Sequence, residues 1–216
     1  MSRIKLVTPT PPTVIEQPMP LDQALQWVSP YEDKVHPQVR IFLTQSAYQR
    51  CMAHSLSDTV HEVGGALVGE VRYDAERAQT YVVIQETLPA AFTDSSETHL
   101  TFTRDTLIDF SNRIDALFPD KRIVGWYHTH PRLGVFLSGY DTFLHRHFFP
   151  DPTQVALVID PYYRKAGFFC WQPDALLDPK HYIGFYELSD VDDHSIVEWE
   201  NLTPVTTETR SEESEV

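Results

Sequence analysis

Apolar residues fall along this chain with two periods. Short runs rich in β-branched and aromatic residues recur over Val39 to Leu43, Thr80 to Leu88, 122–128, Gln154 to Ile159 and Ala166 to Trp171. These read as strands, with His99 to Thr103 as a shorter alternating one. The apolar, Gly-rich run from Glu62 to about Val71 reads as a buried strand that another backbone approaches closely. A polar turn over Tyr73 to Arg77 makes 62–88 a hairpin, and the turn Asp160 to Lys165 makes a second. A helical period replaces the strand period in three places. Gln45 to Leu56 follows Thr44 as a cap, and a helix opens after Thr103 and runs to about Leu117. Its apolar residues Leu107, Phe110, Ile114 and Leu117 fit one buried stripe. The third helix, about 139–149, starts at Ser138. Leu21, Leu25 and Val28 share one side of a further short helix. Pro89 to Thr98 reads as a loop, and Tyr182 to Leu188 as a late strand or a helix cap. Strands alternating with helices predict an α/β fold, a mixed sheet flanked by helices.

Proline and charge divide the chain further. Residues 1–37 form a Pro-rich N-terminal extension, in which Thr8 to Thr13 cannot enter a helix or strand interior. Residues 38–188 carry the folded domain. From Ser189 the chain turns acidic, and 189–216 is expected as a disordered tail, most clearly from Thr203 on. A net charge of −14 over 216 residues argues against nucleic acid or an anionic membrane as partner. No apolar run is long enough to span a bilayer, and the N-terminus lacks a signal-peptide pattern, so a cytoplasmic location is expected. Cys51 and Cys170 are two cysteines in a chain of this size, which is no disulfide framework; both are expected to be inert core thiols.

The chemistry concentrates between 125 and 141. His128 and His130 lie two apart at the end of a strand, so they point to one side. Ser138 and Asp141 stand three apart at a helix start. Alone, the first pair would read as surface histidines and the second as a capping box. Joined by a short loop after Pro131, two imidazoles and a carboxylate make a complete protein ligand set for a zinc ion with one open position. A zinc hydrolase also needs a base for its water, and Glu62, at the head of the Gly-rich run, is the candidate. His145 and His147 point to different sides of their helix; His145, four residues after Asp141, could lie near it. His61 faces away from Glu62 on a strand and is left out.

Glu62 followed by Gly64, Gly65, Leu67 and Gly69, then His128, His130 and Pro131, then Ser138 and Asp141, resembles the JAMM metalloproteases, the MPN+ or Mov34/PAD-1 domains. The resemblance covers roughly 38–175 and extends to the strands at 154–161 and 166–169. It implies an MPN-like, cytidine-deaminase-like sandwich and one Zn2+ per chain on His128, His130 and Asp141. Glu62 would be the general base and Ser138 the donor to the tetrahedral oxyanion. The compact chain looks like a prokaryotic, deubiquitinase-like member. The implied reaction is cleavage after the C-terminal glycine of a ubiquitin-like protein, free or conjugated, beside E1-like and E2-like pathway proteins. In such proteins a segment placed like 89–98 contacts the ubiquitin-like tail. Two other readings stay open: a peptidase for a sulfur carrier in cofactor or cysteine synthesis, and a scaffold that keeps its zinc without catalysis.

Overall fold

The computed structural model describes residues 14–91, 93–96 and 99–205. Strands β1 (Ile15–Glu16) and β2 (Ala24–Val28) precede β3 (Val39–Thr44), and helix α1 (Gln45–Ser55) follows. The long hairpin β4 (Gly64–Asp74) and β5 (Gln79–Pro89) is followed by a smaller one, β6 (Thr93–Ser96) and β7 (His99–Phe102). Helix α2 (Arg104–Leu117), strand β8 (Arg122–Thr129) and helix α3 (Gly139–Phe148) come next. Strands β9 (Val155–Asp160), β10 (Lys165–Gln172), β11 (Leu176–Leu177), β12 (Phe185–Leu188) and β13 (Thr203–Pro204) complete the order.

Among the described residues one large mixed sheet runs β11-β10-β9-β8-β4-β5-β3-β12-β2-β13, with β1 against β4, while β6 and β7 pair separately. The pairs β8/β9, β3/β5 and β12/β3 are parallel, and β4 is antiparallel to both β5 and β8. Alternation along β8 assigns the two layers. Trp126 and His128 share a face, where Trp126 packs against Phe149 just past α3 and Phe102 at the end of β7, and Phe102 meets Phe110 of α2. Tyr127 points the other way and meets His54 of α1. The result is the expected α/β sandwich, a mixed sheet with helices on both sides. Glycine lets β4 sit at its centre. A Cβ on Gly65 would lie 2.2 Å from the Leu88 carbonyl oxygen, and one on Gly69, at the β-bulge, 1.9 Å from that of Val83.

Both long hairpins and all three principal helices match the sequence reading, as does the Thr44 cap, which accepts from Ala47 N; Thr103 caps α2 in the same way, accepting from Thr106 N. Three segments differ. The helix expected over Leu21 to Val28 is only a 3-10 turn, Leu21–Gln23, followed by a strand. Three apolar residues at helical spacing are outweighed by pairing with β12, where Trp27 stacks on Phe185 and donates Nε1 to Glu187. The loop expected over Pro89 to Thr98 contains β6, which pairs with β7. The acidic segment from Ser189 is exposed at first but anchored further on: Trp199 is 1% exposed, wedged against Tyr48 and Phe185, Leu202 is buried, and β13 pairs with β2. Thr8 to Thr13 and residues 206–216 lie outside the described residues.

Two of the four apolar positions expected to form the α2 stripe, Phe110 and Ile114, are buried, and Leu107 packs against the core. Leu117, in the last turn, is exposed. Both cysteines are buried and unpaired, and burial pushes the Cys51 and Cys170 thiols well above the ordinary range, which keeps them inert.

Candidate metal centre

The end of β8 delivers the first histidine, and the chain just beyond it the second. The backbone N–H of His130 donates to the Ile159 carbonyl at 2.8 Å, prolonging the parallel ladder with β9 by one step. Both imidazoles therefore stay on one side, and their Nε2 atoms lie 3.0 Å apart. Asp141 arrives from the first turn of α3. Its position is set by the capping box: Ser138 Oγ accepts from Asp141 N at 3.1 Å, and Ser138 N donates to Asp141 Oδ2 at 2.7 Å. With Oδ2 so held, Oδ1 lies 3.3 Å from His128 Nε2, and Oδ2 is 3.5 Å from His130 Nε2.

These three side chains are all buried, and their ligand atoms lie within 4.8 Å of one another. A tetrahedral zinc with bonds of about 2.0–2.2 Å needs ligand atoms about 3.3–3.6 Å apart; the two histidine–aspartate separations match this and the 3.0 Å histidine pair is slightly closer, so the donor set and spacing fit that ion. Burial alone would raise the Asp141 carboxyl pKa. The charge of His128, with hydrogen bonds involving His128, His130 and Ser138, outweighs burial and holds it well below the carboxylate range. Asp141 is thus a carboxylate ready to bind a cation.

Glu62 is 4% exposed, and its Oε1 lies 3.8 Å from His130 Nε2. It stands two residues before β4 rather than on it, so the strand ladder does not place it. A reciprocal pair does. Val63 N donates to Thr129 Oγ1 at 2.9 Å, and Thr129 N donates to the Val63 carbonyl at 2.8 Å. Thr129, between the two histidines, ties Glu62 to the histidine strand. Ser138, half-buried, uses its oxygen as acceptor in the cap, which leaves its O–H proton for another partner.

Sequence reasoning named five residues, and the structure gathers His128, His130 and Asp141 with Glu62 beside His130 and Ser138 behind Asp141. It leaves two other histidines out: His61 is exposed and bonded to Asp58, and His147 is exposed and stacked on Phe143. His145 is fully buried and accepts from Trp126 Nε1 at 3.0 Å. Two positioning residues escaped the sequence reading. Thr129 is one. The other is Asp160, also fully buried, whose oxygens accept backbone N–H groups of Arg132, Gly134, Tyr162 and Tyr163. It fixes the loop that leads from His130 toward Ser138, where Arg132 and Gly134 both have positive φ. The only sequence signal for it is an acid ending an otherwise apolar strand.

A family model described as JAB1/Mov34/MPN/PAD-1 ubiquitin protease matches residues 36–149. The NAD(+) hydrolase TcpA of the archaeon Theionarchaea archaeon (strain DG-70-1) is 37% identical over 87 residues, 40% of this chain and 25% of that protein. COP9 signalosome complex subunit 5 of Oryza sativa subsp. japonica is 27% identical over 141 residues, 63% of this chain and 37% of that protein. The match thus spans well under half the length of either relative. The solution structure of protein DSY2949 from Desulfitobacterium hafniense superposes with a TM-score of 0.51 at 20% identity, covering 72% of this chain and 99% of that one, a likeness of fold. Among the described residues no helix is long and apolar enough to cross a membrane. The family match runs over β3, α1, the β4–β5 hairpin, β8 and the whole histidine–aspartate cluster, and on it this chain belongs to the JAB1/Mov34/MPN/PAD-1 family.

Proposed function

We propose that this chain is a zinc-dependent isopeptidase or peptidase that cleaves after the C-terminal glycine of a ubiquitin-like protein, in deconjugation or precursor processing. The observation that carries the reading is the convergence of His128, His130 and Asp141 within ligand distance of one another, with Glu62 against His130. MPN domains without the metal ligands have no such cluster to offer. In this reading His128 Nε2, His130 Nε2 and an Asp141 carboxylate oxygen hold one Zn2+. Bound there, the ion supplies Lewis acidity, lowering the pKa of water and polarising the scissile carbonyl.

The chain's own residues do the rest. Glu62, buried beside the ligands, takes a proton from the attacking water and returns it to the leaving amine. Its burial keeps that proton from bulk solvent. Ser138 Oγ donates its free O–H to the oxyanion of the tetrahedral intermediate. The match to a family model described as a ubiquitin protease supports a ubiquitin-like partner, and E1-like and E2-like proteins would act on the same conjugates. Nucleic acid and membranes are not expected partners of so acidic a chain, and a cytoplasmic site of action fits this reading.

The test is zinc content by elemental analysis together with cleavage of a ubiquitin-like fusion, with and without a chelator. About one zinc per chain and chelator-sensitive cleavage at the glycine are expected. Zinc without cleavage of ubiquitin-like or sulfur-carrier fusions would favour a scaffold, and no zinc would overturn the reading.

A further inference from the structure

A histidine that binds a metal usually has its second ring nitrogen hydrogen-bonded to a carboxylate, carbonyl or water, which fixes the ring's rotation. Here the Nδ1 atoms of both His128 and His130 are buried, and neither has a hydrogen-bond partner among the described residues. The terminal torsion of a histidine has a broad, shallow profile, so what packs against the ring helps set its rotation. For His128 that is Trp126, whose ring stacks on it with centroids 4.7 Å apart and planes 14° from parallel.

Trp126 is itself held on several sides. Phe149 stacks on it at 5.8 Å, and Phe102 meets it edge-on at 5.8 Å. Its Nε1 donates to His145 Nδ1 at 3.0 Å. His145 is fully buried, and with Nδ1 accepting, its proton resides on Nε2, which has no partner among the described residues. The hydrogen bond to the indole is what this histidine provides and a phenylalanine at the same position would not. One turn of α3 thus separates a ligand, Asp141, from the residue that braces the plate beneath another ligand.

We propose that Trp126, braced by His145, sets the ring orientation of His128, so that aromatic stacking does here what a hydrogen bond does at other histidine–metal sites. Trp126 and His145 are positioning residues in this account. It rests on the reading of the triad as a zinc site.

The experiment measures zinc affinity of the full chain by competition with a chromophoric chelator at neutral pH. Trp126→Leu and His145→Phe are expected to weaken zinc about 10–100-fold, the range for loss of an outer-shell partner. His145→Gln keeps an acceptor for the indole and should restore most of the affinity. The indole N–H proton resonance of Trp126, followed in the metal-free protein, should move upfield in His145→Phe and stay in place in His145→Gln. Unchanged zinc affinity in folded Trp126→Leu and His145→Phe overturns the proposal. So does equal weakening in both His145 variants, because packing alone would then be at work. Should Trp126→Leu fail to fold, the His145 pair still decides. A wild type that binds no zinc overturns the metal reading itself, whereas failure of the positioning role appears only in the variants.

Discussion

Glu62 and His128 lie within one cluster, yet they should fail in different ways when replaced. Glu62 is proposed to move protons and is not among the three proposed ligands. Glu62→Gln preserves size and burial, so zinc content should stay near one per chain while turnover falls about 10²–10⁴-fold, the usual contribution of a general base. Cleavage near the wild-type rate would remove Glu62 from the mechanism. His128→Ala deletes a proposed ligand whose Nε2 lies 3.0 Å and 3.3 Å from the other two proposed ligand groups. Zinc content should fall sharply while the circular dichroism spectrum persists, because the sheet around β8 is closed by apolar residues rather than by the ion. Undiminished zinc in this variant would contradict the ligand assignment. At this scale the sequence was most legible, since the approach of His128, His130 and Asp141 to one another follows from strand alternation and from the helix cap. Thr129 and Asp160 were not legible, because each acts by accepting backbone N–H, which the residue pattern hints at only weakly, through the acid that ends the apolar strand at Asp160.

The start of α3 joins stability to chemistry in one residue. Ser138 caps the helix and, in the proposed mechanism, donates to the oxyanion, and the two roles respond differently to substitution. Ser138→Ala should cost about 1 kcal/mol of stability through the lost cap. Ser138→Gly should cost only a few tenths of a kcal/mol, because glycine is tolerated at that position. Both lose the hydroxyl donor, so both should lower turnover about 10²–10³-fold. Denaturant unfolding beside cleavage rates checks this, and activity that tracked stability across the two variants would leave Ser138 a cap alone. Elements with a local signal of this kind, such as the Thr44 and Thr103 caps or the unbroken apolar run of β9, were readable from the chain. Strand β2 was not, because its conformation is set by a partner about 160 residues away: Trp27 donates to Glu187 and lies opposite Phe185.

Over the whole molecule, the acidic C-terminal stretch is tied to the core through Trp199 and Leu202. Its charge pointed to a disordered tail, yet Trp199 fills a place against Tyr48 and Phe185, and Glu187 accepts from Ser195 Oγ and Ile196 N. One buried tryptophan outweighs many exposed acids, and composition averaged over the segment hid it. Trp199→Ala should therefore cost about 3–5 kcal/mol in denaturant unfolding, as loss of a large buried aromatic does. A cost below about 1 kcal/mol, the level of an ordinary surface change, would return the segment to the status of a tail.

Acid should destabilise the metal-free chain through His145. Burial, with a smaller effect from the charge of Arg146, pushes its pKa down from 6.5 to about 3. The folded state thus binds this proton less readily than the unfolded state. The contribution to stability is complete above pH 6.5 and is lost as the pH falls toward 3. Asp141 acts in the same direction but further into acid, since a carboxyl held below its ordinary range loses its contribution only as the pH falls below the ordinary carboxylate pKa. Denaturant unfolding between pH 7 and pH 4 should show stability falling with acid, and His145→Phe should flatten that slope. An unchanged slope in His145→Phe would mean that the buried imidazole is not the group being protonated.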